Sequence, residues 1–268
     1  MRFDDPEPTH DLTLWTGGWD STFRVLYRAV VEERAVRPVY VVDRGRGSAS
    51  MELRAINRVL RDLESDWPEA FSRIEPPRFV DLYAIPEAPE VREAYDRLSA
   101  SVRAEGRRVL GSQYRWLPRL ARSAGWTDVE LSVHGAGHLR QTFGPHLKRG
   151  DDGVVRVRPD APDHMRVLLG PFTFPLWGGS KTAEYAQAER AGFSSLLDKH
   201  AWFCFSPRRG RPCGACNPCA DAARDGFGSH VPLDRRVIGG ASRAVAKTRF
   251  RLGLGTRFRA LVGGDRSA

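Results

Sequence analysis

Short apolar runs alternate with longer stretches of helical periodicity along most of this chain. Apolar runs bounded by turn residues are typical of buried strands, whereas apolar residues three and four positions apart indicate amphipathic helices. We predict strands at 12–15, 38–43, 78–82, 129–134 and 166–169. We predict helices at 21–34, 50–64, 89–105, 113–124 and 181–191. The alternation predicts an α/β fold with a Rossmann-like, doubly wound parallel sheet of five strands, whose ligands bind at the carboxyl ends of the strands where the strand order reverses.

Three segments follow from this pattern. We expect an α/β domain over residues 1–199, a cysteine-containing knuckle over 200–230 packed on it, and a basic tail over 235–268. The sequence Gly150-Asp151-Asp152-Gly153 predicts a turn in an inserted segment rather than a domain boundary. With 268 residues, of which 41% are hydrophobic, the chain can bury a sizeable core.

The net charge of +9 is unevenly distributed. Nine basic residues and one acidic residue give 235–268 a charge of +8 and leave only +1 for the other 234 residues. The nearly neutral body argues against nucleic-acid binding there. For the tail we expect disorder with solvated charge, with docking on the body, a membrane surface, an acidic partner or nucleic acid as alternatives. No apolar run is long enough to span a membrane and the N-terminus is acidic, so we expect a cytoplasmic protein.

The four cysteines are clustered. Cys204, Cys213, Cys216 and Cys219 have the spacing C-x8-C-x2-C-x2-C, and the first 203 residues contain no cysteine. Thiolates at this spacing can converge on one tetrahedral ion, which predicts a structural zinc site with an iron–sulfur cluster as the alternative. His200 is a further candidate ligand, although four cysteines already complete the coordination.

A glycine turn follows the first predicted strand, in the sequence Thr16-Gly17-Gly18-Trp19-Asp20-Ser21-Thr22. Backbone amides in such a turn, with a helix dipole behind them, can bind phosphate. The alternative is plain turn chemistry in which Asp20 or Ser21 caps the helix. The turn matches neither the Walker loop nor the dinucleotide fingerprint.

This turn resembles the S-G-G-x-D-S-T pyrophosphate loop of the N-type ATP pyrophosphatases. The cysteine pattern, including Gly214, is similar to that of the 7-cyano-7-deazaguanine synthase branch of that superfamily. Arg44, the Glu52-Leu53-Arg54-Ala55 segment and the Lys181-Thr182-Ala183-Glu184 segment are similar to further motifs of that family and occur in the same order. The chain departs from the family over 133–143, where a substrate-pocket segment is replaced by a sequence that contains His134 and His138.

The resemblance implies a carbon–nitrogen ligase that uses ATP and Mg²⁺ in queuosine biosynthesis. It would adenylate 7-carboxy-7-deazaguanine or a related acid, release pyrophosphate and form an amide or nitrile with ammonia. Alternatives are a paralogue that joins such an acid to a protein, peptide or other amine, a tRNA thiolation enzyme, and a non-catalytic nucleotide-binding module. A homodimer is compatible with each of them.

Roles for individual residues follow from the resemblance and the loop chemistry. The expected catalytic residues are Asp20, Ser21 and Lys181, and the expected ATP-binding residues are Thr16, Gly17, Gly18, Asp20, Ser21, Thr22 and Arg44. The candidate substrate-binding residues are Glu52, His134 and His138. For Glu52 the alternative is a solvent-facing position on its helix, and for the histidines it is loop hydrogen bonding. Trp15 and Trp19 flank the loop, where Trp19 can stack on a base and Trp15 is expected in the core.

Overall fold

A computed structural model describes residues 11–135, 137–224 and 230–251 of the chain. The chain divides into two compact units. The first comprises the residues up to 44 together with 53–201, and the second comprises 45–52 together with the residues from 202 onward. Among the described residues, no helix combines the length and the apolar character that a membrane crossing requires.

The strands and helices alternate along most of the chain. The strands are β1 (Leu12–Leu14), β2 (Arg37–Val42), β3 (Arg78–Asp81), β4 (Val129–Glu130), β5 (Leu147–Arg149), β6 (Val155–Val157) and β7 (Phe172–Thr173). The helices are α1 (Trp19–Val30), α2 (Ala49–Asp66), α3 (Pro68–Ser72), α4 (Pro89–Ala104), α5 (Gln113–Ser123), α6 (Gly137–Phe143), α7 (Asp163–Leu169), α8 (Lys181–Arg190), α9 (Ser194–His200), α10 (Asn217–Arg224) and α11 (Leu233–Arg251). Short 3₁₀ turns cover Leu82–Ala84 and Gly144–His146.

Five strands form one parallel sheet in the order β3-β2-β1-β4-β7. All four strand pairs are parallel, and Leu14 of β1 lies opposite Val39 of β2 in the register. The chain moves outward from β1 to β3 and then returns to the other side of β1 as β4. The strand order therefore reverses between β1 and β4, which is where ligands bind in open parallel sheets.

The two faces of the sheet differ in chemistry. Successive side chains of a strand point to opposite faces. Leu12 and Leu14 join an apolar cluster with residues of α4, α5 and α7, including Leu98, Leu117 and Leu168. Thr13, between those two leucines, instead donates a hydrogen bond to Glu130 of β4. The polar pair faces α1, where an ion-pair network accompanies buried apolar residues such as Val25 and Leu26.

This network joins α1 to β4. Glu130 is 6% exposed, and its carboxylate accepts hydrogen bonds from Arg24 at 2.8 and 2.6 Å and from Arg28 at 2.6 Å. Arg24 also pairs with Glu32, and Arg28 with Asp11. Burial raises the pKa of Glu130, but its contacts with Arg24 and Arg28 outweigh this effect and lower the pKa below its ordinary value. The carboxylate is therefore held in its charged form inside the protein.

The predicted elements are confirmed within a few residues, with exceptions near β4 and β7. Residues 166–169 belong to helix α7, so the prediction of a strand there was wrong. Met165, Leu168 and Leu169 are buried at helical spacing, and a short apolar run does not by itself distinguish a strand from a buried helix. The fifth strand of the sheet is β7. The predicted strand 129–134 ends at Glu130, because the chain turns where the amide of Val133 bonds to the carbonyl of Leu131.

The structure also describes the predicted turn at 150–153 and part of the predicted tail. The turn predicted at 150–153 is confirmed, because β5 and β6 form an antiparallel hairpin in which the amide of Gly153 bonds to the carbonyl of Gly150. The expectation of a disordered tail is wrong over Leu233–Arg251, which form α11. Residues 252–268 of that tail lie outside the described residues.

The network predicts an unequal response to the loss of two carboxylates. Glu130→Gln removes the carboxylate that Arg24 and Arg28 share, so two buried cations keep one acidic partner each, and we expect a loss of about 3 kcal/mol or more in the free energy of unfolding. Glu105→Gln is the control, because the pair between Glu105 and Arg107 is exposed and should contribute no more than about 1 kcal/mol. Urea denaturation of both variants measures the difference. Equal small losses would contradict a stabilising role for Glu130.

Candidate functional site

The glycine turn after β1 closes on the first turn of α1. Gly17 has a φ of 66°, a left-handed conformation that favours glycine, and Gly18 is the N-cap residue of α1. The hydroxyl of Ser21 accepts a hydrogen bond from the amide of Thr16 at 3.2 Å and donates one to the carbonyl of Gly18 at 3.3 Å. Because Gly18 is the N-cap and its cap has no side-chain hydrogen bond, capping by Asp20 or Ser21 does not explain this turn.

Two tryptophans flank the turn and help to hold its conformation. Trp15 is fully buried, and its indole NH donates to the hydroxyl of Thr22 at 3.0 Å. Trp19 stacks on Phe23 with ring centroids 5.6 Å apart. The hydroxyls of Ser21 and Thr22 are thus used to hold the loop itself. The first amides of an α-helix have no acceptor within the helix, and amides of this kind can bind an anion.

Four charged side chains meet beside this turn. His134 follows β4, and its Nε2 lies 3.5 Å from Oδ1 of Asp20 and 3.2 Å from Oε2 of Glu184. Lys181 Nζ lies 3.6 Å from Oδ1 of Asp20 and 6.0 Å from the centroid of the Trp19 ring. Asp20 comes from α1, and Lys181 and Glu184 come from the first turn of α8. We call these four residues the loop cluster.

The surroundings of His134 stabilise the charged imidazolium. Its Nε2 faces two carboxylates, and its Nδ1 lies 3.5 Å from the carbonyl oxygen of Gly179. Neutral imidazole has one nitrogen that can only accept, and such a nitrogen would repel these oxygens. Burial lowers the pKa of His134, but the contacts with Asp20 and Glu184 outweigh burial and raise the pKa to about 10.

The two carboxylates of the loop cluster have opposite pKa shifts. Burial raises the pKa of Asp20, but its contacts with His134 and Lys181 dominate and lower it overall. Burial is also the largest effect on Glu184, and there it prevails, so the pKa of Glu184 is raised. Oδ1 of Asp20 is buried although 32% of the side chain remains exposed. The cluster therefore combines an ionised carboxylate with two cations beside the glycine turn.

Two glycines near His134 lie close to neighbouring side chains. A Cβ atom on Gly135 would lie 2.7 Å from the Trp177 ring, and one on Gly179 would lie 2.8 Å from Oε1 of Glu184. Neither position has room for a larger residue unless its neighbour moves. The segment after β4 and the segment before α8 therefore pack directly on each other and position His134 and Glu184.

The other predicted site residues make different contacts. Arg44 follows β2 and pairs with Asp81 at 2.5 Å, with 74% of its side chain exposed. His138 lies on α6, where burial and the nearby charge of Arg108 lower its pKa. Glu52 is only 3% exposed, so the solvent-facing alternative is wrong. It belongs to the second unit, where Ser48 donates to it at 2.6 Å and Arg46 pairs with it at 3.0 Å.

The four cysteines of the second unit converge on one point. Their sulfur atoms all lie within 4.8 Å of one another and can hold a metal ion. Backbone amides of Cys213, Ala215 and Cys216 donate hydrogen bonds to sulfur at 3.2–3.4 Å. Because sulfur atoms this close repel one another as thiolates, the contacts of Cys219 with Cys204 and Cys216 raise the pKa of Cys219. A bound cation would remove this penalty. His200, the other candidate ligand, instead lies 2.6 Å from Asp62 in the first unit.

Helix α11 packs on the turn that carries two of these cysteines. Gly214 has a φ of 74°, and a Cβ atom there would lie 2.0 Å from the carbonyl oxygen of Arg235. A Cβ atom on Gly239 would lie 1.9 Å from the carbonyl oxygen of Gly214. Glycine is therefore needed on both sides of this crossing. The turn that carries Cys213 and Cys216 and helix α11 are therefore in direct backbone contact.

Comparisons with models of known protein families and with curated proteins found no match to this chain.

One residue of the loop cluster is absent from the set predicted as the site. Glu184 is 5% exposed and contacts His134, whereas the sequence singled it out only as part of a motif. Its position three residues after Lys181 places both on one side of α8, which is the signal that indicates it. The contact partner could not be read from the sequence, because His134 is distant along the chain.

The pKa of His134 gives a direct test of the loop cluster. We expect its imidazole NMR signals to stay at the imidazolium position up to about pH 9, whereas His138 should titrate below its ordinary value of 6.5. Because the folded pKa of His134 exceeds its unfolded value, its contribution to stability is complete below pH 6.5 and is lost as the pH rises through about 10. His134→Gln assigns the signals. A midpoint for His134 near 6.5 would show that the contacts with Asp20 and Glu184 do not form.

Proposed function

We propose that this protein is an ATP-dependent ligase that adenylates a carboxylic acid and transfers the acyl group to ammonia or an amine. The observation that carries the proposal is the position of the loop cluster. The glycine turn follows β1 and His134 follows β4, so both lie at the carboxyl ends of the two strands between which the order reverses. The resemblance of the turn to a pyrophosphate loop supports the same assignment.

The reaction follows from the chemistry of carboxylates. An oxygen of the acid attacks the α-phosphorus of ATP, the bond from that phosphorus to the bridging oxygen breaks, and pyrophosphate leaves with the electron pair. The product is an acyl adenylate. Ammonia or an amine then attacks the acyl carbon, AMP leaves with the carboxylate oxygen, and the nitrogen loses a proton. In the proposed family a second ATP converts the amide to a nitrile.

The loop cluster supplies the charges that this reaction needs. Amides of the glycine turn and of the first turn of α1 would bind phosphate oxygens, and preorganised donors of this kind stabilise departing pyrophosphate. Lys181 and protonated His134 would neutralise phosphate or the incoming carboxylate. Glu184 orients His134 through Nε2, the same ring nitrogen that faces Asp20.

Asp20 is the residue that would hold Mg²⁺. Its Oδ1 is buried, and among the described residues it has no hydrogen bond of regular geometry. Mg²⁺ in nucleotide sites is bound by one or two carboxylates together with phosphate oxygens, which fits a single aspartate beside a phosphate-binding turn. When bound, the ion would neutralise charge on the β- and γ-phosphates.

We infer that the four cysteines bind one structural zinc ion. Tetrahedral sulfur ligands at ~2.3 Å from one ion lie about 3.8 Å from one another. The sulfur distances are 3.9 Å for Cys204–Cys216 and for Cys213–Cys219 and 3.4 Å for Cys216–Cys219. This spacing supports a single ion and argues against a cluster of several irons, whose cysteine ligands must lie farther apart. It also weighs against the tRNA thiolation alternative, which needs an iron–sulfur cluster or a reactive cysteine.

The central prediction concerns pyrophosphate. With ATP, Mg²⁺ and candidate carboxylic acids, we expect release of pyrophosphate and AMP rather than phosphate and ADP. Asp20→Asn keeps the size of the side chain but removes its charge, and we expect the rate to fall by about 10²-fold or more. Asp160→Asn is the control, because Asp160 is exposed and pairs only with Arg158 among the contacts described for it. Undiminished activity in Asp20→Asn would refute the assignment of the loop.

Isotope transfer distinguishes adenylation from other uses of ATP. If the carboxylate attacks the α-phosphorus, ¹⁸O from a labelled acid must appear in AMP. Unlabelled AMP would show that water or another group attacks instead. Pyrophosphate release without label transfer would therefore support the nucleotide-binding site but contradict the ligase reaction.

The metal assignment predicts one zinc ion per chain. Cys216→Ser removes one of four ligands, so we expect loss of the bound zinc and unfolding of the second unit. Elemental analysis and circular dichroism of the wild-type and variant proteins measure both effects, with Ser206→Ala as a control substitution in the same segment. Iron in place of zinc, or a stoichiometry far below one, would contradict this assignment.

A further inference from the structure

One side of helix α11 packs against the turn that runs from Cys213 to Cys216, which we call the cysteine turn. Arg235 and Gly239 lie on that side, where they meet the backbone of Gly214. Gly239 is buried, and Arg235 is half-buried. The orientation of the helix about its own axis is therefore fixed by these backbone contacts.

The opposite side of α11 carries a stripe of exposed apolar residues. Leu233, Val237, Ala241 and Val245 recur at intervals of four, so they follow one side of the helix. Leu233 is 70% exposed, Val237 is 72% exposed and Val245 is 55% exposed. A helix on the surface of a globular protein normally presents polar residues to solvent. A row of exposed aliphatic side chains indicates a surface that binds something apolar.

The charge of the same segment restricts what that partner is. Six basic residues and one acidic residue give 233–251 a net charge of +5. Arg236, Arg243 and Lys247 are among these basic residues. A second copy of the helix would bring equal positive charge against it. Nucleic acid would satisfy the charge but leave the aliphatic stripe in water.

Residues 252–268 continue the same composition. Leu252, Leu254, Phe258, Leu261 and Val262 alternate there with arginines, and the segment adds a net charge of +2. A lipid leaflet presents an apolar layer beneath anionic head groups. This surface is continuous, so it can accommodate a helix of any length. Basic helices with one apolar side lie in this interface. Each basic residue near an anionic membrane adds to the attraction.

We propose that α11 binds the surface of an anionic lipid bilayer, with Leu233, Val237 and Val245 inserted between the head groups. The proposal does not depend on the ligase reaction. Co-sedimentation of the full chain with vesicles tests it. We expect binding to vesicles that contain phosphatidylglycerol, little binding to pure phosphatidylcholine vesicles, and release by high salt.

A matched pair of variants assigns the contact to the stripe. Val237→Asp places a negative charge in the stripe, and we expect the apparent affinity for phosphatidylglycerol vesicles to fall at least about tenfold. Val31→Asp makes the same change at another exposed valine, 43% exposed at the end of α1, and should leave binding unchanged. Metal content verifies that the cysteine turn of each variant is intact.

Several outcomes would overturn the proposal. Failure of the wild-type chain to bind either kind of vesicle would exclude a membrane partner. Equal binding of Val237→Asp and wild type would exclude the stripe as the contact. A wild-type dimer that Val237→Asp converts to a monomer, without vesicle binding, would assign the stripe to a second copy of the chain.

Discussion

The buried ion pairs of Glu130 are the constraint on which the loop cluster depends. Arg24 and Arg28 of α1 both bind this carboxylate, which lies at the end of β4. Asp20 precedes Arg24 by one helical turn, and His134 follows Glu130 by four residues. The side of α1 that binds Glu130 therefore also presents Asp20 to His134. Burying these charges is costly unless every one of them is paired, so α1 and β4 have little freedom to shift relative to each other.

This arrangement explains how opposite charges coexist beside the glycine turn. Asp20 lies between His134 and Lys181, which keep it ionised, while Glu184 is more deeply enclosed and has a raised pKa. The pKa of His134 is in turn raised by the two carboxylates. Asp20 and His134 therefore each stabilise the charged form of the other. An anionic ligand that enters between these groups would contact cations that are already in place. The site would then need little reorganisation, which lowers the free-energy cost of binding.

The second unit depends less on apolar packing than the first. Its apolar cluster is small and consists mainly of three buried cysteines and Val231. Hydrogen bonds to sulfur and the glycine crossing between the cysteine turn and α11 replace a conventional core. A metal ion at the cysteines would therefore hold both the turn and the helix that rests on it. The exposed stripe of α11 is positioned by this same turn.

The sequence by itself determined the local features of this protein. Hydrophobic periodicity located β1, β2 and β3 and the longer helices α1, α2, α4, α5 and α8, because these elements are specified by residues within a few positions of one another. The glycine turn and the cysteine spacing were likewise evident. Periodicity failed at 166–169, where a short apolar run is compatible with either a strand or a buried helix. Only the tertiary structure decided which charged residues meet. Asp20, His134 and Glu184 are far apart along the chain, and so are Arg24 and Glu130. Their pairing depends on the order of the strands and on burial, and neither is encoded in a local pattern.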